Sequence, residues 1–232
     1  MAEADQLILD LPVATSRARG DFLVAPSNAL AFRTVETWPD WPGGKLLVTG
    51  PTGAGKSHLA ALWQERSGAR LLTPDDLDRA DAGALAREPV LFEDAEQVAG
   101  HALREEALFH LYNALHSAGL SLMLTAPSPP RDWGLSLPDL QSRLRAIATV
   151  RIDPPDDALL AAVLVKLFAD RQIAVPPNVI TFLTPRMERS LATAARLVEA
   201  IDTLALTEKR DVTRRLAARA LEALDNAADP GA

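Results

Sequence analysis

Gly50-Pro51-Thr52-Gly53-Ala54-Gly55-Lys56-Ser57 is the segment whose residue types and spacing point to the most specific chemistry in this chain. The pattern G-x-x-x-x-G-K-[ST] follows an apolar run, Lys45 to Thr49, and precedes a helical pattern, the context that a phosphate-binding loop requires. Its glycines let the backbone wrap with N–H groups inward, and the helix N-terminus adds its positive end. Lys56 is then expected at the terminal phosphates and Ser57 at magnesium, with His58 completing the nucleotide-binding set. Such a loop works with an acid at the end of a buried strand, which holds the hydrated metal, and often with a second that orients the attacking water. Val90-Leu91-Phe92-Glu93-Asp94 supplies both, so Glu93 is expected at the metal and Glu93 and Asp94 as the catalytic acids. Which carboxylate takes which task stays open, because the first is Glu where Asp is usual. His101, His110 and His116 turn to different helix faces and give no metal site, and no Ser/His/Asp motif is present.

The elements that must hold these residues are also legible. Lys45 to Thr49, Ala69 to Leu72, Val90 to Phe92, Leu120 to Thr125 and Thr149 to Ile152 are continuous apolar runs, which predict strands of a parallel sheet buried on both faces. Between them Leu59, Leu62 and Trp63, then Leu108, Leu111 and Leu115, recur at helical spacing. The pattern is α/β. It changes at Asp153-Pro154-Pro155, after which only helices are predicted: an amphipathic stripe from Leu159 to Phe168 capped by Asp156, then helices near 178–184, 189–206 and 211–224. The expected division is a flexible tail at 1–20, a nucleotide-binding domain at 21–152, a helical lid at 153–226 and a disordered end at 227–232.

Composition narrows the class further. With 232 residues, 48% of them apolar and 24% charged, the chain is globular in character. The longest apolar stretch, Leu159 to Ala169, is broken by Lys166, and the acidic start MAEADQ is unlike a signal peptide; no membrane association is expected, and the cytoplasm is. The lack of cysteine excludes disulfides, thiol catalysis and Cys-ligated zinc. A net charge of −7 argues against a surface coated for nucleic acid. The basic run from Arg186 to Arg219 reads as a solvated helix face.

Several further runs carry a resemblance: Phe22-Leu23-Val24 with Ser27-Asn28, Phe109-His110-Leu111-Tyr112-Asn113, Leu124-Thr125 followed by Pro129-Pro130, and Leu137-Pro138-Asp139-Leu140-Gln141-Ser142-Arg143-Leu144. Over about 22–224 the chain resembles the AAA+ ATPases, more narrowly the DnaA replication-initiator family and its Hda-type regulators. The resemblance implies a P-loop AAA+ module, a five-stranded parallel sheet sandwiched by helices and followed by an all-helical lid. It implies ADP or ATP with Mg2+ as ligands. Arg143 falls on the family's arginine finger, catalytic in trans on a neighbouring subunit, and Arg189 on the second sensor, which touches the nucleotide of its own chain.

Gln6-Leu7-Ile8-Leu9-Asp10-Leu11 resembles the peptide by which Hda-type proteins dock on the replicative sliding clamp, with Gln6, Leu7, Leu9 and Leu11 as contacts. Two departures, Pro127 near the first-sensor position and Glu93 for Asp, imply nucleotide binding with at most slow intrinsic hydrolysis. Initiators continue beyond the lid into a DNA-reading helix-turn-helix, which is not expected here. The implied function is negative regulation of replication initiation: a chain that assembles as a homo-oligomer, binds the clamp and promotes hydrolysis of ATP on DnaA. Two alternatives are an adaptor that tethers DnaA without stimulating it and a stand-alone ATPase acting on a nucleic-acid complex.

Overall fold

The computed structural model describes residues 22–78 and 82–228. Five strands, β1 (Lys45–Thr49), β2 (Arg70–Leu72), β3 (Val90–Phe92), β4 (Leu122–Ala126) and β5 (Ala148–Arg151), form one sheet in the order β2-β3-β4-β1-β5. All four pairings are parallel, and Val48 of β1 lies between Thr125 of β4 and Val150 of β5. Parallel neighbours need crossovers, and helices supply most of them: α2 (Lys56–Ser67), α3 (Ala82–Leu85), α4 (Ala102–Ser117) and α5 (Pro138–Arg145). A further helix, α1 (Ala29–Glu36), precedes β1.

The continuous apolar strands follow from the two cores they serve. Leu47, Phe92, Leu122 and Leu124 pack with Leu108, Leu111, Leu115, Leu140 and Leu144 of α4 and α5. Their strand neighbours Leu46, Val48, Leu91 and Met123 pack on the other face with Val35, Leu59 and Trp63. Alternate residues thus face opposite helical layers, and both sets must be apolar. The expectation of burial on both faces holds for β1, β3 and β4 and fails at β2, where Arg70 and Leu71 are exposed, and at β5, where Thr149 and Arg151 are. These two are the edge strands, each with a single neighbour.

Four helices follow: α6 (Asp157–Asp170), α7 (Pro177–Leu183), α8 (Leu191–Glu208) and α9 (Arg214–Ala228). They share a core of their own, with Leu160, Leu164, Phe168, Leu183, Leu197 and Ile201 fully buried. Asp156 caps α6, its Oδ1 accepting from the Leu159 N–H at 2.8 Å. Among the described residues no helix is long and apolar enough to cross a membrane.

Candidate functional site

β1, β3 and β4 end on the same edge of the sheet, and the sequence places its chemistry directly after them. Gly50 leaves β1 with its N–H donating to Ala126 at the end of β4 (3.3 Å). Loop 50–55 then turns into α2, whose first-turn N–H groups have no acceptor within the helix. Lys56 Nζ spans the loop, donating to the carbonyls of Gly50 (2.8 Å) and Pro51 (3.2 Å). Burial pulls its ammonium below the ordinary lysine value, against the opposing charges of Asp94, Glu96 and Glu93. The cation is therefore held inside the loop and faced by carboxylates.

Glu93 follows β3, with its N–H donating to Leu72 of β2 (3.1 Å). Asp94 takes a left-handed backbone (φ 51) and donates its N–H to Thr125 Oγ1 on β4 (3.3 Å). Glu96 is a third carboxylate that the sequence reading does not single out. Burial pushes its carboxyl up, its own backbone N–H holds it down, Asp94 raises it and Lys56 lowers it. Glu93 Oε1 and Glu96 Oε2 are buried with no hydrogen-bond partner. Buried carboxylate oxygens without donors are costly unless a cation or water completes them.

The lid touches the loop itself. Leu191, the first residue of α8, donates its N–H to the Gly53 carbonyl at 2.7 Å. Ser190 caps α8 by accepting from the Thr193 N–H (3.2 Å) and lies so close to Gly53 that a Cβ there would collide with its hydroxyl. With φ at +75, Gly53 is required by conformation as well as by space. Arg189, one residue earlier, pairs with Asp157 at 2.8 Å and donates to the Pro155 carbonyl at 3.5 Å.

Beside His58 a cavity of about 310 Å³ opens between the start of α2 and the helices α6 and α8. Phe22, Leu23, Leu159, Val163 and Leu191 line it with His58, whose ring meets Phe22 edge-on at 5.3 Å. Buried Asn28 shapes its rim, accepting from the Ala25 N–H (2.8 Å) and donating to the Leu23 carbonyl (2.9 Å). An apolar slot one residue beyond a phosphate-binding loop suits a flat heterocycle joined to phosphates. In the sequence it is marked only by the Phe22 to Asn28 run and by His58, because its other walls come from α6 and α8.

The fold is matched in known proteins. A solved structure of domain III of DnaA from Thermotoga maritima superposes with a TM-score of 0.78 at 18% identity, covering 88% of this chain and 95% of that one. AMPPCP-bound DnaA from Aquifex aeolicus gives 0.67 at 18% identity, covering 82% of this chain and 68% of the other. In sequence, the chromosomal replication initiator protein DnaA of Thermomicrobium roseum is 26% identical over 227 residues. The chain has the AAA+ fold and is homologous to the DnaA initiators. The chain spans about half (48%) of the length of that sequence relative. No family model matches the chain.

Within the AAA+ frame the remaining expected residues can be located. Arg143 lies near the end of α5, exposed, its guanidinium with no hydrogen bond or ion pair among the described residues, while Leu140 and Leu144 bury the other face of that helix. Pro127 directly follows β4, and the polar residue on that strand is the buried Thr125, engaged with Asp94. Gln6, Leu7, Leu9 and Leu11 lie outside the described residues.

Proposed function

We propose that this chain is a cytoplasmic regulator of bacterial replication initiation, which binds adenine nucleotide in its own P-loop and acts in trans on ATP held by a DnaA-type initiator. The observation that carries the reading is Arg143, exposed and unpartnered among the described residues on a helix that is otherwise anchored. A planar guanidinium that never loses its charge suits a phosphoryl group supplied by another molecule.

In the chain's own site, loop 50–57 would cradle the phosphates, the cavity beside His58 the base, and Ser57 with Glu93 a hydrated Mg2+. The orphaned Glu93 Oε1 fits that donor set. Mg2+ supplies charge neutralisation at the phosphate oxygens when bound. Among the described residues no group of three or more His, Cys, Asp or Glu is placed to hold a metal ion, so phosphate and water oxygens would supply most of the ligands. Asp94 orients water, and slow intrinsic turnover follows from Thr125 being engaged with the Asp94 backbone while Pro127 offers no donor. Segment 6–11 docks on the sliding clamp.

The test is to incubate the chain with ATP-loaded initiator, clamp and DNA and to follow ATP converted to ADP. Stimulation is expected, and is expected to vanish when Gln6, Leu9 and Leu11 are replaced by Ala. An initiator that hydrolyses no faster overturns the reading. A second reading, a stand-alone ATPase on nucleic acid, is favoured by the groove between α8 and α9, where Lys209, Arg210, Arg215 and Arg219 outnumber Glu208 and Asp211, Arg219 being paired with Glu208. Turnover stimulated by DNA alone would select it.

A further inference from the structure

Glu105, in the first turn of α4, has no solvent exposure and no counter-cation in hydrogen-bond reach among the described residues. Its carboxylate instead collects backbone and hydroxyl donors from two other segments. Oε2 accepts from the N–H of Leu137 (2.7 Å), the N–H of Ser136 (2.9 Å) and the Ser136 hydroxyl (3.0 Å). Oε1 accepts from the N–H of Gly100 at 3.1 Å and shares the Ser136 N–H at 3.2 Å. Burial alone would push this carboxyl up, yet the donors of Leu137, Ser136 and Gly100 hold it below its ordinary value.

The site of those donors gives the carboxylate its meaning. Ser136 and Leu137 lead directly into α5, whose N-cap is Leu137, a residue with no side-chain acceptor, and whose first position is Pro138. An apolar N-cap leaves a helix entry without the usual Ser, Thr, Asp or Asn oxygen. Glu105 takes the other half of such a cap: like the Glu of a capping box it accepts from the N–H of the N-cap residue, but it does so from another helix, 32 residues earlier in the chain. Leu140 and Leu144 fix how α5 is rotated, and the Glu105 clamp fixes where it begins. Arg143 is six residues past the clamped Leu137, so its position is set by both. Gly100, the remaining donor, closes the turn that follows Glu93, Asp94 and Glu96.

We propose that Glu105 is the positioning residue of Arg143: one buried carboxylate that locks the entry of α5 and joins it to the loop leaving the acidic side of the nucleotide site. The inference rests on the trans-acting role of Arg143, and a spectroscopic readout separates the two. The chain contains no cysteine, so Ser117→Cys and Arg143→Cys accept spin labels at defined places. With Glu105 present the distance distribution between them is narrow. Glu105→Gln keeps one acceptor and turns an NH2 group toward the donors, so the distribution broadens. Leu197→Ala, which opens the separate lid core, leaves it narrow. In the Arg143 background, Glu105→Gln lowers stimulated hydrolysis about tenfold at saturation, with the half-saturating concentration unchanged, as misplacement of a reacting group does.

An unchanged distribution together with unchanged turnover in Glu105→Gln overturns the proposal. If Arg143→Ala leaves stimulation intact, the trans reading has failed, and the width of the distribution decides the role of Glu105 by itself: broadened supports it, unchanged overturns it. Should Glu105→Gln not fold, Ser136→Ala removes a single donor. It is then expected to cost roughly threefold in turnover and to widen the distribution, and no change in either overturns the clamp.

Discussion

Lys56 and Arg143 carry the same charge in opposite settings. Lys56 is half-buried, bonded to two carbonyls of its own loop and faced by Asp94, Glu96 and Glu93. Arg143 is exposed and has no side-chain partner among the described residues; what fixes it is the backbone of α5, through Leu140, Leu144 and Glu105. A cation restrained at its tip is built for a ligand that comes to it. One restrained only at its root suits, on the function proposed above, a ligand held by another molecule.

The contrast is sharpest under mutation. Arg143→Ala should lower stimulated hydrolysis by the initiator by about a thousandfold or more, with nucleotide affinity of this chain unchanged by calorimetry. A parallel loss of affinity would erase the distinction. Lys56→Ala should act in reverse, removing about 2–3 kcal/mol of charge-assisted bonding, a roughly hundredfold loss of nucleotide affinity. Arg189 lies between these extremes, since its partner Asp157 is itself solvent-exposed. Arg189→Ala should change this chain's own affinity by roughly threefold to tenfold and leave the initiator's hydrolysis less affected than Arg143→Ala does, which titration of both mutants with ADP and ATP would reveal.

The smallest effect concerns pH. The Glu105 carboxyl is depressed below its ordinary value of 4.5, so its contribution to stability is complete above that pH and is lost as pH falls through the lower folded value. Thermal unfolding followed from neutral to acid should show wild type losing stability in that window, with Glu105→Gln lacking this part of the decline. Equal acid profiles would mean that the carboxylate contributes no charge to the clamp.

The loop at 50–57 could be read from sequence because its chemistry is local: adjacent residues make the turn, the cation and the helix start. Glu93 and Asp94 were visible for the same reason, as acids ending an apolar strand. Glu105 was not, because an acid in a first helical turn ordinarily faces water, and its partners Ser136 and Leu137 come from the far side of β4 in the chain. Glu96 escaped notice since only the left-handed turn at Asp94 brings it beside Lys56. The cavity beside His58 needs α6 and α8 for its walls, and no spacing within one segment announces it. For the edge strands, apolar content overstated burial because a run of side chains does not reveal whether a neighbour lies on each side.

The bond from the Leu191 N–H to the Gly53 carbonyl makes α8 a lever with its fulcrum on the phosphate loop. At 18 residues the helix is about 27 Å long, so a tilt of about 10° around that point moves its far end by about 5 Å while the bond itself barely stretches. The far end is Glu208, where the basic groove with Lys209 and Arg210 begins. Any tilt of α8 about that bond would therefore be felt least at the phosphate loop and most at Glu208, where the helix ends.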